Sequence, residues 1–365
     1  MRVLFAGGGT GGHVYPSLSV ARALEDELRA RATPLELLYI GVHGRADEAI
    51  VPREGIAFRA IAAGQLRVAS PLAFARGLLL LGRGSLQALG IMRRFRPDAV
   101  FATGGYASVP VGIAARLLRR PLVVYLPDVT PGWAVRLLAR LATRVATTSE
   151  AALAHLPAKR TAVVGYPVRA AFWSLDWETA RARLGLPQDR PVLLVAAGSL
   201  GAHAINDAVV AALPRLVARC SVLHMTGAAD EARARAARRG LPEEQQARYV
   251  VQAYLDDMPA AMHAADLVVS RAGASTLGEL PAAGAAAVLV PGEYEGWSQA
   301  PNARFLHARG AAVVVRNDEL GRLADTVLAL LDDEARLAAM RASMRALARP
   351  DAARDLARLV IEVAA

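Results

Sequence analysis

The chain has 365 residues, 54% of them hydrophobic and 21% charged, and a formal net charge of +10. That length suggests two domains, and the apolar content excludes wholesale disorder. A single cysteine, Cys220, excludes an internal disulfide framework and any multi-cysteine metal site, and no continuous apolar stretch reaches the ~20 residues of a membrane span.

The charge is uneven. Residues 1–165 hold 21 Lys+Arg against 10 Asp+Glu, whereas residues 166–365 hold 22 against 23. The first half is therefore expected to meet something anionic: nucleic acid, a membrane surface or an acidic substrate. A scatter of solvated arginines fits the same counts. No helix-turn-helix, zinc finger or aromatic-plus-basic RNA motif is present, so nucleic acid is not expected. The apolar start is too short for a secretory leader, which makes a cytoplasmic enzyme the expectation.

The first strand is read at Arg2-Val-Leu-Phe-Ala6, a short buried run. Gly7-Gly-Gly-Thr-Gly-Gly-His13 follows, then Pro16 and a helical pattern to residue 30. Strand, glycine loop and helix cradle phosphates, because a helix start leaves backbone N–H groups unpaired. The loop lacks both the Gly-Lys-Ser/Thr of a Walker loop and a following acidic ribose ligand. His13 is a side chain able to take a proton near neutral pH, although a lone loop histidine more often serves a structural hydrogen bond.

Residues 71–81 form a strongly apolar run with Arg67, Arg76, Arg83, Arg93, Arg94 and Arg96 in or around it. A basic-rimmed apolar helix fits a contact with an anionic membrane through Phe74, Leu78 and Leu79, and it equally fits a core-packed crossover helix. The alternation of strand and helix then repeats: a strand at 98–102, the turn Thr103-Gly-Gly-Tyr106, a helix at 111–118, a strand at 121–125 and a loop containing Asp128. Such alternation means a doubly wound parallel sheet with ligands at the carboxyl ends of its strands. Both glycine turns and the Asp128 loop lie at such ends.

Residues 165–169 read as a linker. A second α/β unit opens with a strand at 191–197, the turn Gly198-Ser-Leu-Gly201 and a helix carrying Asn206. Strands at 221–225 and 249–252 precede the loop Tyr254-Leu-Asp-Asp-Met258, whose adjacent acids read as a solvated turn rather than a metal pair. A strand at 266–270 then leads into Arg271-Ala-Gly-Ala-Ser-Thr276 and a helix containing Glu279. Gly273 admits close approach of a ligand to the backbone, and Glu279 is spaced to accept hydrogen bonds from a ribose diol. The same pattern fits an ordinary strand-to-helix turn. A strand at 286–291, a loop at 292–302 rich in hydrogen-bonding side chains, and helical patterns at 318–332, 334–348 and 351–364 complete the chain.

Taken in order, Gly-Gly-Thr-Gly-Gly-His, Thr-Gly-Gly-Tyr, Gly-Ser-x-Gly-Ala with a following Asn, Asp-Asp-Met, Arg-x-Gly-Ala-x-Thr-x-x-Glu and the loop ending Gln299-Ala-Pro-Asn302 resemble the MurG family over residues 1 to about 345. The resemblance implies an α/β GT-B fold: two Rossmann-like doubly wound parallel-sheet domains facing a cleft, at 1–164 and 165–349, with a C-terminal helix at 350–365 joined to the first. It implies inverting transfer of N-acetylglucosamine from UDP-GlcNAc to a lipid-linked pyrophosphoryl-MurNAc-pentapeptide, peripherally, at the cytoplasmic face of the membrane. No cofactor and no metal are expected.

Residue by residue, the resemblance implies a base at His13 and diphosphate contacts from Arg169, Gly198, Ser199 and Gly201. It implies polar roles for Asn206 and Arg271, uracil reading at Leu255 and ribose contact from Glu279. Gly273, Ala274, Ser275, Thr276, Gln299 and Asn302 fall beside the sugar. Thr10, Gly11, Gly12, Gly104, Gly105, Tyr106 and Asp128 fall on the acceptor side. The family's His-Glu-Gln-Asn is here Tyr125-Leu-Pro-Asp128, an Asn one turn later is Val135, and the first of a paired Gln is Ser298. These departures leave open another GT-B activity on UDP-GlcNAc, such as a 2-epimerase or transfer to a different acceptor, or a non-catalytic UDP-sugar-binding module.

Overall fold

The structure, a computed structural model, describes residues 1–7, 11–64, 70–197, 202–294 and 297–365. Of the candidate residues, Thr10, Gly198, Ser199 and Gly201 lie outside the described residues. The chain divides into two units, Met1–Arg169 with Arg349–Ala365, and Ala170–Ala348.

In the first unit β1 (Arg2–Ala6), α1 (Gly11–Arg29), β2 (Glu36–Val42), α2 (Ala46–Arg53), β3 (Ala57–Ile61), α3 (Pro71–Phe95), β4 (Ala99–Ala102), α4 (Ser108–Leu117), β5 (Leu122–Leu126), α5 (Trp133–Leu141), β6 (Arg144–Thr147) and β7 (Thr161–Val163) follow one another. The sheet is parallel, in the order β3-β2-β1-β4-β5-β6-β7. Helices on both faces explain why the central strands read as continuous apolar runs. Every residue of β4 and β5 is buried, whereas the edge strand β3 leaves Arg59 exposed. The C-terminal helix, Ala352–Ala364, packs on α1, with Leu356, Leu359 and Val360 sharing a core with Val14, Leu18 and Leu24. Arg354 and Arg358 of that helix pair with Glu27 of α1.

The second unit runs α6 (Trp177–Leu184), β8 (Val192–Ala196), α7 (His203–Ala211), α8 (Leu213–Arg219), β9 (Ser221–Met225), α9 (Glu231–Arg239), α10 (Glu243–Gln246), β10 (Tyr249–Gln252), α11 (Met258–Ala264), β11 (Leu267–Ser270), α12 (Thr276–Ala283) and β12 (Ala287–Leu289). A hairpin of β13 (Glu293–Tyr294) and β14 (Trp297–Ser298) comes next, then α13 (Ala300–His307), β15 (Ala312–Val314), α14 (Leu323–Leu331) and α15 (Glu334–Ala346). Its sheet is again parallel, in the order β10-β9-β8-β11-β12-β15. Each sheet reverses its winding beside its first strand, between β1 and β4 in one and between β8 and β11 in the other. Open α/β sheets bind ligands outside the carboxyl ends of strands at such points.

Two buried polar clusters fix the second unit. Asp266 accepts from the Val192 N–H at 2.7 Å and from Arg341 at 3.0 Å, and pairs with Arg181. Arg181, itself buried, also donates to the carbonyls of Ala264, Pro187 and Arg190, and its guanidinium lies 4.1 Å from the Trp177 ring centroid.

The other cluster centres on His224, fully buried on β9. Its Nε2 donates to Asn206 Oδ1 at 2.9 Å, and its Nδ1 accepts from the Tyr249 hydroxyl at 2.8 Å. Asn206 Nδ2 donates to Thr226 O and to Asp230, whose other oxygen meets His203. Burial pushes His224 down from 6.5 to about 4. The unfolded chain therefore takes a proton on His224 that the folded protein refuses between those values, and this contribution to stability is complete above pH 6.5 and is lost as pH falls towards 4. The full swing is on the order of 3 kcal/mol. Urea unfolding of the wild type at pH 7.5 and 4.5 is expected to show the loss. His224→Gln is expected to be weaker at the higher pH but to lose less on acidification.

Candidate functional site

In the first unit the reversal point gathers the start of α1 and the turn after β4. His13 is half-buried in the first turn of α1, and its Nδ1 lies 2.9 Å from the Thr103 carbonyl oxygen. A carbonyl only accepts, so Nδ1 carries a proton, and it is Nε2 that has the lone pair in the neutral ring. Thr103 returns the contact, its Oγ1 donating to His13 O at 3.0 Å, and Ser17 donates to the same oxygen. Gly104 and Gly105 have φ of +92° and +82°, which glycine adopts without strain. A Cβ on Gly104 would meet Val135 at 3.0 Å and the His13 ring at 3.6 Å. Gly7 is equally constrained, since a Cβ there would lie 2.5 Å from the Tyr39 hydroxyl and 2.7 Å from Thr103 Oγ1.

Around this centre, Gly11 opens α1, and Gly12 O accepts from the Tyr166 hydroxyl at 3.3 Å. The Arg169 guanidinium lies 5.2 Å from the Tyr15 ring centroid, and that of Arg45 lies 5.7 Å from the ring of Tyr106. The departure at residues 125–128 is mostly interior. Tyr125, Leu126 and Pro127 are buried, while Asp128 is half-exposed. The Tyr125 hydroxyl is 2.7 Å from Thr148 Oγ1 and donates to Gly165 O at 3.0 Å, so it braces the core.

In the second unit β11 ends at Ser270 and the small-residue turn follows at once. Thr276 Oγ1 donates back to Gly273 O at 2.6 Å, closing the turn at the head of α12. Arg271 donates to Val290 O and Asn317 Oδ1, and Asn317 in turn donates to Pro291 O. Burial lowers the guanidinium's affinity for its proton. Gly273 and Ser275 are half-exposed and Ala274 is buried, with Glu279 half-exposed on α12. Asn302 and Gln299, both buried, act as braces: Asn302 donates to Ala272 O at 3.0 Å, and Gln299 Oε1 accepts from Gly292 N at 2.8 Å. Leu255 is buried just past the carboxyl end of β10. Asp257 caps α11 by accepting from Ala260 N and pairs with Arg183, which accounts for it as structure. Among the described residues no three His, Cys, Asp or Glu gather into a metal-binding group.

Asn206, for which the resemblance implies a polar role, lies on α7. Its residue is fully buried, and Thr226, Asp230 and His224 occupy both its N–H groups and its oxygen, so it holds α7 rather than reaching outward. Sequence reasoning missed Thr103 as the partner of His13. Its signal was its place at the end of a buried strand, immediately before two glycines.

Residues 3–147 match the glycosyltransferase family 28 N-terminal domain, and residues 192–356 match the family's C-terminal domain. A UDP-N-acetylglucosamine--N-acetylmuramyl-(pentapeptide) pyrophosphoryl-undecaprenol N-acetylglucosamine transferase of Roseiflexus sp. (strain RS-1) is 41% identical, over 99% of this chain and 94% of that protein. The protein of the same description from Symbiobacterium thermophilum is 40% identical, over 100% of this chain and 96% of that one. Among solved structures, the MurG of Acinetobacter baumannii superimposes with a TM-score of 0.76 at 25% identity, covering 99% of each chain.

The geometry sets opposite tautomers on two histidines: a proton on Nδ1 of His13 and on Nε2 of His224. Nitrogen-15 NMR of histidine-labelled protein is expected to show both, with the signals assigned by His13→Gln and His224→Gln. Gly7→Ala, which presses a methyl on Thr103, is expected to disturb the His13 signal and spare that of His224.

Proposed function

This chain belongs to glycosyltransferase family 28, and on that premise we propose that it transfers N-acetylglucosamine from UDP-GlcNAc to a lipid-linked pyrophosphoryl-MurNAc-pentapeptide. What supports the reading is the coincidence of full-length likeness to the MurG proteins with chemistry at both reversal points: a histidine with a bare Nε2 in the first unit, and a capped small-residue turn in the second.

The reaction is a single displacement with inversion. The acceptor hydroxyl oxygen forms a bond to the anomeric carbon as the bond from that carbon to the UDP oxygen breaks. The hydroxyl proton passes to His13 Nε2, and the electron pair of the broken bond leaves on the diphosphate. Backbone N–H groups at the start of α7, with Gly198, Ser199, Gly201 and Arg169, take up that charge, so the chemistry needs no metal. Leu255 reads the uracil, Glu279 holds the ribose, and the 271–276 turn holds the sugar. Thr10, Gly11, Gly12, Gly104, Gly105, Tyr106 and Asp128 face the acceptor.

The lipid end of the acceptor is met by α3. Ala88 and Met92 anchor its second half in the core, whereas Leu72, Phe74, Leu78, Leu79 and Leu86 are exposed, Leu72 at 81% and Leu79 at 76%. Arg76, Arg83, Arg93 and Arg94 lie along the same helix. Among the described residues no helix is long and apolar enough to cross a membrane. An apolar helix face with arginines around it lies in the interface of an anionic leaflet, here the cytoplasmic face of the membrane.

His13→Ala is expected to lower turnover with the lipid-linked acceptor by about 10²–10⁴-fold while UDP affinity stays the same. Near-normal turnover in that variant would remove His13 as the base. Product mass spectrometry is expected to show UDP released only when a lipid pyrophosphate is present. Flotation with anionic vesicles is expected to retain the protein, less so at high salt, and Leu79→Glu is expected to weaken retention. Absence of binding at every salt concentration would overturn the membrane role of α3.

A further inference from the structure

Two large exposed aromatic side chains have no part in the chemistry above. Tyr294 and Trp297, 55% and 41% exposed, face each other across the β13–β14 hairpin with ring centroids 5.1 Å apart and planes inclined by 22°. Isolated exposed apolar residues are common and carry no message. This pair differs because its rings stack on each other and on a glycine. A Cβ on Gly292 would meet the Tyr294 ring at 2.7 Å, so Tyr294 lies against bare backbone, with Trp297 stacked beyond it.

The hairpin is also tied to the turn after β11. Gln299, the residue after β14, accepts from Gly292 N through Oε1, and its Nε2 lies 3.6 Å from where a Cβ of Gly273 would sit. Asn302 bonds Ala272 O from the helix that follows. The segment that carries the aromatic pair is therefore anchored to the small-residue turn through Gln299 and Asn302.

Resting on the assignment of that turn to the sugar of the nucleotide donor, we propose that Trp297, backed by Tyr294, is a stacking platform for the C–H face of the donor's pyranose ring. A pyranose has polar edges and an apolar face of C–H bonds. The edges suit amides and hydroxyls such as those around Gly273. The face needs a flat, electron-rich, weakly hydrated surface, and an indole is the best side chain for it. The uridine diphosphate portion has no such ring, so the platform separates a nucleotide sugar from the bare nucleotide and gives Trp297 a part in donor selection.

Calorimetric titration of the full-length protein with UDP and with UDP-GlcNAc tests this. Trp297→Ala is expected to weaken UDP-GlcNAc about three- to tenfold and leave UDP unchanged, with Trp297→Phe retaining most of the affinity. UDP-GlcNAc, but not UDP, is expected to change the indole fluorescence of the wild type, and Trp297→Phe is expected to abolish that change. Equal weakening of both ligands by Trp297→Ala, or of neither, overturns the platform while leaving the donor assignment standing. A wild type that binds neither ligand overturns the donor assignment and the platform with it.

Discussion

A parallel sheet covered on both faces offers chemistry no side, only ends, and the organisation of this chain follows from that constraint. β4 is buried along its whole length and stops at Ala102, and the next residue, Thr103, already grips His13. β11 is buried to Ser270, and Arg271 directly after it is bonded to Val290 O and Asn317. Reversal of winding beside the first strand of each sheet separates neighbouring crossover helices, and His13 and the 271–276 turn lie at the carboxyl ends of the strands there.

Loops at strand ends lose the ladder of backbone hydrogen bonds, and buried backbone groups must find partners elsewhere. Much of the polar character around the two sites answers this need. Thr103 and Ser17 serve His13 O, Asn302 serves Ala272 O, Thr276 serves Gly273 O, and Gln299 serves Gly292 N. Asn206 is fully consumed between α7, β9 and Asp230. Donors aimed at a developing charge are effective only when they are held before the reaction begins. Side chains that a motif presents as contacts can therefore act one step back, by keeping the contacting backbone in place.

The strands were legible because burial on both faces writes them as uninterrupted apolar runs, and the glycine turns were legible because positive φ and close packing admit little else. The family followed from six motifs in order, each weak alone. What stayed hidden was partnership across the sequence. His224 stands in a fully buried strand, and nothing local announces Asn206 or Tyr249 as its neighbours. Tyr125 was read at the end of a strand, and it lies within β5, but nothing local shows that its hydroxyl turns inward to Thr148. Residues 292–302 read as a loop, and the short hairpin within them carries the Tyr294–Trp297 stack, a contact with no periodic signature.

The return of the C-terminal helix to the first unit has a consequence in time. The second unit is one uninterrupted stretch, Ala170–Ala348, with its own core, whereas the first is assembled from both ends of the chain. A ribosome delivers Leu356, Leu359 and Val360, which complete the core around Val14 and Leu24, after every residue of the second unit has emerged. The part begun first is thus finished last. Throughout that interval the nascent chain holds an apolar face of α1 uncovered, the kind of surface that chaperones engage and that aggregation exploits.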